Sequence, residues 1–167
     1  QRYIENKYLK DGFEGPSDGI NIRNLIQKGY FVYLPDISLG NRGTGEVALA
    51  CVHSSLDTIK DISEIDFRKV GLIGFSHGGY ETNYIATQSD RFAAYISGAG
   101  NSDLVRSYFS YNYQFNGPFY WQFENGQYEM PKPFFSDKEL YIKNSPVYNA
   151  DSVRAPILLW TGSNDQI

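Results

Sequence analysis

The segment Gly74-Phe75-Ser76-His77-Gly78 sets a serine between two glycines in a G-x-S-x-G pattern. A serine in this pattern becomes a nucleophile when it sits on a sharp turn between a strand and a helix, with its hydroxyl projecting above the sheet edge. That turn is backbone-strained, and glycine at the flanking positions removes side chains that would collide with neighbouring chain. The backbone N–H of the next residue, His77, would then point toward a developing oxyanion, helped by the positive potential of a helix N-terminus. A glycine-rich turn with an incidental serine is the plainer alternative. A phosphate-cradling loop fits less well, since the chain has neither Gly-Lys-Ser/Thr nor G-x-G-x-x-G.

A serine nucleophile needs a base and an acid that orients the base. On a strand–elbow–helix scaffold these follow in the order Ser, Asp or Glu, His. Asp165 suits the acid: it follows the apolar run Ile157 to Trp160 through Thr161-Gly162-Ser163-Asn164, and loops at the carboxyl ends of parallel strands are where such sites assemble. Read alone, the same residues make an ordinary turn. Neither of the two histidines suits the base. His77 lies directly beside Ser76, and His53 precedes it on a predicted helix face, where a histidine is most often structural or solvated. Only Gln166 and Ile167 follow Asp165, so the base is expected from outside this chain.

The elements that must position these residues are legible as an alternation. Residues 1–18 are turn-rich and read as irregular. A short helix is predicted over about 20–28, with Gly29 where a left-handed C-terminal cap belongs. Tyr30 to Leu34 reads as a buried strand ended by Pro35, and 36–45 as a glycine-rich loop. Leu49, Val52, Leu56 and Ile59 form one apolar stripe, predicting a helix over 46–61. Val70 to Phe75 is strand-like, 77–89 helical, Ala93 to Ser97 a third strand and Ile157 to Trp160 a fourth. Strands alternating with helices predict a parallel α/β sheet. The rhythm breaks between Tyr108 and Phe135, where twelve aromatic residues accompany a single basic one, Lys132. This stretch reads as an insertion, within about 101–145, that contains some helix and packs over one end of the sheet.

Composition narrows the function. The chain has 167 residues and a net charge of −4, which argues against a nucleic-acid binder, since that class carries a basic patch. No apolar run approaches the roughly 18 residues of a membrane helix. Cys51 is the single cysteine, so no disulfide forms within the chain. No His, Cys or carboxylate cluster has ligand spacing, so no metal and no organic cofactor is expected. The chain opens with Gln1 and without a signal segment, which suggests a piece of something longer.

Several motifs, in order, resemble the prolyl oligopeptidase family of serine peptidases, which includes dipeptidyl and acylaminoacyl peptidases. Gly74 to Tyr80, followed by Glu81-Thr82, is similar to its G-x-S-x-G-G-Y motif. Thr87, Asp90 and Phe92 match its T-x-x-D-x-F segment, and Ser97-Gly98-Ala99-Gly100 the small residues after the next strand. Ser145-Pro146, Ala150-Asp151 and Pro156 to Leu159 resemble its approach to the catalytic acid. Gly29 to Val32 and Asn41-Arg42-Gly43 also fit, so the likeness runs from about residue 20 to 167.

The resemblance implies an α/β-hydrolase fold, a parallel sheet with flanking helices, incomplete at both ends. It implies Ser76 as nucleophile, Asp165 as the histidine-orienting acid, and the His77 amide as one oxyanion donor. It places Leu104, Ser107, Tyr108 and Tyr111 in the segment that lines the family's specificity pocket. Leu104 departs from the tryptophan of dipeptidyl peptidases. Tyr80 is expected to pack under the elbow. The histidine, the second oxyanion donor and the family's propeller domain would lie outside residues 1–167, leaving this chain alone inactive. The strand between 30–34 and 70–75 would be missing too, so those two are expected to lack a direct neighbour.

The implied function is hydrolysis of short peptides by a Ser-Asp-His triad. A carboxylesterase-like acyl hydrolase and a non-catalytic fragment or homologue with a binding role are the alternatives, the latter using the aromatic stretch as a platform. The expected partner is a peptide substrate, with a homodimer of the full-length protein left open and a bacterial periplasmic or cytoplasmic location equally compatible.

Overall fold

The computed structural model describes residues 21–38 and 40–165. The reading of 1–18 as irregular lies outside them. The chain divides into two compact units, Gln1–Asp36 and Ile37–Ile167.

In the first unit, helix α1 spans Ile22–Gln27. Asn21 caps it, its side chain accepting from the Asn24 amide at 3.0 Å. Gly29 ends it at φ 85°, and the amides of Gly29 and Tyr30 donate to the carbonyls of Ile26 and Leu25. This is the left-handed, doubly hydrogen-bonded stop expected of a glycine there. The predicted strand from Tyr30 to Leu34 does not form: these residues have no regular secondary structure, and Tyr30, Phe31 and Tyr33 are exposed. A strand exists by pairing its backbone groups, and no described strand pairs with this run. Its composition alone does not make it one.

The second unit is built on three parallel strands, β1 (Gly71–Phe75), β2 (Ala94–Gly98) and, last in the chain, Ile157–Trp160, in that spatial order. Helix α2 (Thr44–Thr58) precedes β1, and helix α3 (His77–Gln88) connects β1 to β2. Leu72, Tyr95 and Ile157 are in register across the sheet and share a face. They join Val52 and Leu56 of α2 and Ile85 and Ala86 of α3 in one apolar core. Ile73, Ile96 and Leu158 occupy the opposite face, where Ile73 and Leu158 are exposed.

The aromatic stretch supplies a second core. It folds as helix α4 (Leu104–Tyr108), a two-residue ladder of β3 (Tyr111–Asn112) with β4 (Gly117–Pro118), helix α5 (Tyr120–Glu124) and helix α6 (Lys138–Lys143). The last sheet strand, Ile157–Trp160, is therefore β5. Leu104, Tyr108, Phe123, Tyr128, Phe134 and Tyr141 pack together with Tyr80 of α3, so this core sits against the first turn of the helix that follows Ser76.

Asn144 ties the parts together. It is fully buried. Its Oδ1 accepts from the amides of Gly45 and Glu46 at 3.0 and 3.2 Å, and its Nδ2 donates to the carbonyls of Arg42 and Leu140. Gly43, the residue before α2, has no side chain to cap the helix and lies at φ 91°. The Asn144 side chain, 99 residues beyond Gly45, therefore satisfies two of the orphan amides of that helix end. This is why α2 begins at Thr44 rather than near 46. The carbonyl of Asn144 accepts from the Tyr80 hydroxyl at 2.9 Å, linking the same residue to α3.

Candidate active site

Ser76 stands between the end of β1 and the start of α3 at φ 57°, ψ −117°. This left-handed φ is strained for a residue with a side chain. Four close backbone approaches surround it. The Ser76 amide donates to the Gly98 carbonyl at 2.8 Å, and its carbonyl accepts from the Tyr80 amide at 3.0 Å. A Cβ on Gly74 would lie 1.9 Å from the Gly78 carbonyl oxygen, and one on Gly79 2.5 Å from the Gly98 carbonyl oxygen. Gly78 is different: nothing lies within 4 Å of a Cβ there. Of the two glycines in the motif, only Gly74 is demanded by space. The hydroxyls of Thr82 and Ser97 close the turn by donating to the carbonyls of Gly78 and Gly79.

Ser76 is exposed and opens into a cleft of about 890 Å³. Asp165 lines the same cleft, with Asn101, Arg106, Tyr128 and Trp160. The Thr161 hydroxyl donates to Asp165 Oδ2 at 3.1 Å, and the Asp165 amide turns back to the Gly162 carbonyl at 3.1 Å. The structure thus brings the two expected catalytic side chains to one cavity, each just past the carboxyl end of a parallel strand. Trp160 forms part of the wall, its ring stacked on Phe75 at 5.4 Å. The stack spans Gly98, the residue between them in register, where a Cβ would meet the Trp160 ring at 2.4 Å.

His77 is the first residue of α3, so its N–H has no intrahelical acceptor. Its ring is held by neighbours on α2, on α3 and in the aromatic stretch. Nε2 lies 3.2 Å from Thr44 Oγ1 and 3.5 Å from Glu81 Oε1, and the ring packs edge-on against Tyr128. Nδ1 is buried without a hydrogen-bond partner among the described residues. Burial pulls the imidazole down to about 4 and pushes the Glu81 carboxyl up to about 7. Both shifts favour the neutral forms, so the contact between them is not a firm ion pair and His77 is neutral at pH 7. His53 lies elsewhere: its Nε2 is 2.8 Å from Ser89 Oγ and its carbonyl accepts from Arg91, joining α2 to the end of α3.

The four expected pocket residues separate. Ser107 lines the cleft with Ser76. Leu104 is fully buried in the aromatic core. Tyr108 belongs to that core and borders a second, smaller hollow. Tyr111 is exposed on β3, its hydroxyl donating to Asn116 at 2.6 Å. Sequence reasoning did not single out Arg106, Tyr128 or Trp160 as cleft residues. Trp160 had a signal, since it ends the strand that leads to Asp165. Arg106 and Tyr128 had none, because the insertion has no period that assigns faces.

The model of the prolyl oligopeptidase family matches residues 25–167. An uncharacterized peptidase of Bacillus subtilis, YuxL, is 30% identical over 111 residues, covering 65% of this chain and 15% of the relative. The uncomplexed acylaminoacyl peptidase of Pyrococcus horikoshii is 32% identical with a TM-score of 0.57, over 74% of this chain and 19% of that one. A puromycin-hydrolyzing peptidase of Mycobacterium tuberculosis is 28% identical with a TM-score of 0.61, over 75% of this chain and 18% of that one. The chain therefore spans less than a fifth of the length of each of these relatives. The shared architecture is the α/β-hydrolase fold. Among the described residues, no helix is long and apolar enough to cross a membrane.

Proposed function

This chain belongs to the prolyl oligopeptidase family, and from that membership we propose that it carries the nucleophile of a serine peptidase acting on short peptides. One observation carries the reading. Ser76 is held at a left-handed φ between β1 and α3, against a glycine that has no room for a Cβ, and it opens into the cleft that Asp165 also lines.

In this reading Ser76 Oγ adds to the scissile carbonyl carbon while a histidine base takes the hydroxyl proton. The oxyanion of the tetrahedral intermediate is met by the His77 N–H at the positive end of α3. Collapse breaks the C–N bond, and the protonated base returns its proton to the departing amine. Water then cleaves the acyl-enzyme by the same route in reverse. Asp165 orients the base. The base itself is a histidine outside residues 1–167, because His77 is engaged with Thr44 and His53 lies against Ser89. Residues 1–167 are then part of a catalytic domain. Ser107 forms a wall of the substrate cleft, while Leu104 supports α4 from behind.

The test is steady-state hydrolysis by the complete gene product, using paired short peptide anilides and esters. Anilide hydrolysis that falls by at least about a thousandfold in Ser76→Ala and Asp165→Asn supports the reading. Ester hydrolysis without anilide hydrolysis would make the protein an esterase. Hydrolysis unaffected by Ser76→Ala would overturn the assignment.

A further inference from the structure

A second hollow, of about 400 Å³, adjoins the Ser76 cleft, and Ser110 lines both. Its walls are formed by Tyr108, Phe109, Tyr120 and Phe135, and among the described residues Glu124 is the one charged residue lining it. The rings are set against one another at angles rather than stacked. Tyr108 and Phe109 are 5.1 Å apart at 70°, Phe109 and Phe135 5.8 Å apart at 67°, and Tyr108 and Tyr120 6.0 Å apart at 46°.

Two features distinguish this from ordinary core packing. Phe109, Tyr120 and Phe135 are 58%, 43% and 71% exposed, although burying them would release apolar area from water. The carboxylate is also held in place. The buried Tyr108 donates its hydroxyl to Glu124 Oε1, and burial together with that carboxylate pushes the phenol up to about 12, so it remains the donor. No lysine or arginine among the described residues forms an ion pair with Glu124. A half-buried carboxylate among exposed ring faces attracts a cation through both its charge and the negative faces of the rings. The same surroundings repel an anion and leave a neutral apolar group facing an uncompensated charge.

We propose that this hollow is a subsite that holds the ammonium or guanidinium of a lysine or arginine side chain, carried by the peptide whose acyl group reaches Ser76. It rests on the serine-peptidase reading of the neighbouring cleft.

Binding is measured in Ser76→Ala of the complete gene product, so that turnover plays no part. The ligands are short peptides that differ only by lysine or norleucine at one position, with that position moved in turn along the peptide. The expected result is about tenfold tighter binding of the lysine peptide at one position. Glu124→Gln should remove this preference while leaving the norleucine peptide unchanged. Phe135→Ala, which truncates an exposed ring and leaves the core intact, should weaken the preference in the same direction. Equal affinities for both peptides at every position, or a preference that survives Glu124→Gln, would overturn the proposal. Covalent labelling of Ser76 in the native protein is read separately. Lysine preference without labelling would retain the subsite and reject the peptidase; labelling without preference would do the reverse.

Discussion

His77 Nε2 lies 3.2 Å from Thr44 Oγ1, so the histidine next to Ser76 in the chain is turned onto the first residue of α2. Its ring is engaged with Thr44, Glu81 and Tyr128, and in the proposed mechanism its part is that of its backbone N–H.

The two glycines of the motif are expected to behave oppositely. Gly74→Ala would force a Cβ to 1.9 Å from the Gly78 carbonyl oxygen, so backbone must move, with a loss of about 1–3 kcal/mol of stability. Gly78→Ala meets nothing within 4 Å and lies in the first turn of α3, where alanine is the better helix former by up to about 1 kcal/mol. Urea unfolding of the two variants checks this. Equal destabilisation by both would contradict the described turn.

The pair His77 and Glu81 makes a prediction in pH. Burial lowers His77 from 6.5 to about 4 and raises Glu81 from 4.5 to about 7. The depressed histidine contributes stability that is present above pH 6.5 and lost as pH falls toward 4. The raised carboxyl contributes stability that is present below pH 4.5 and lost as pH rises through 7. The two slopes oppose each other over most of this range. Glu81→Gln removes only the second. Its stability relative to the native sequence should therefore grow by roughly 3 kcal/mol between pH 4.5 and 7. Denaturation at a series of pH values measures the difference, and a constant offset would show that Glu81 ionises normally.

Asn144 is expected to be among the most sensitive polar positions. Asn144→Ala leaves the amides of Gly45 and Glu46 and the carbonyls of Arg42 and Leu140 without this partner. A loss of roughly 2–4 kcal/mol follows from orphaning several such groups. Far-UV circular dichroism should also show fraying at the start of α2. A change under about 1 kcal/mol would mean that water replaces the side chain without cost.

These cases show what a reader of the sequence could and could not see. The elbow was legible because its tightest constraint is local: Gly74 lies against the Gly78 carbonyl within one turn around Ser76, and the spacing records the collision that glycine avoids. The helical stripe of α2 was legible from Leu49, Val52 and Leu56 for the same reason. Its start was not, because the cap comes from Asn144, and no pattern near residue 44 announces it. Tyr30 to Leu34 reads as a strand from composition, yet strand formation depends on a partner, and no described strand supplies one. The cleft was half legible. Ser76 and Asp165 follow strands whose ends the topology aligns, whereas Arg106 and Tyr128 come from an insertion whose faces are decided only by how its rings pack.

Whether Ser76 is an activated nucleophile is read from the intact mass of the complete gene product before and after a fluorophosphonate probe. One adduct is expected, mapped to Ser76 and absent from Ser76→Ala. No adduct on the folded protein, or an adduct that persists in Ser76→Ala, would contradict it.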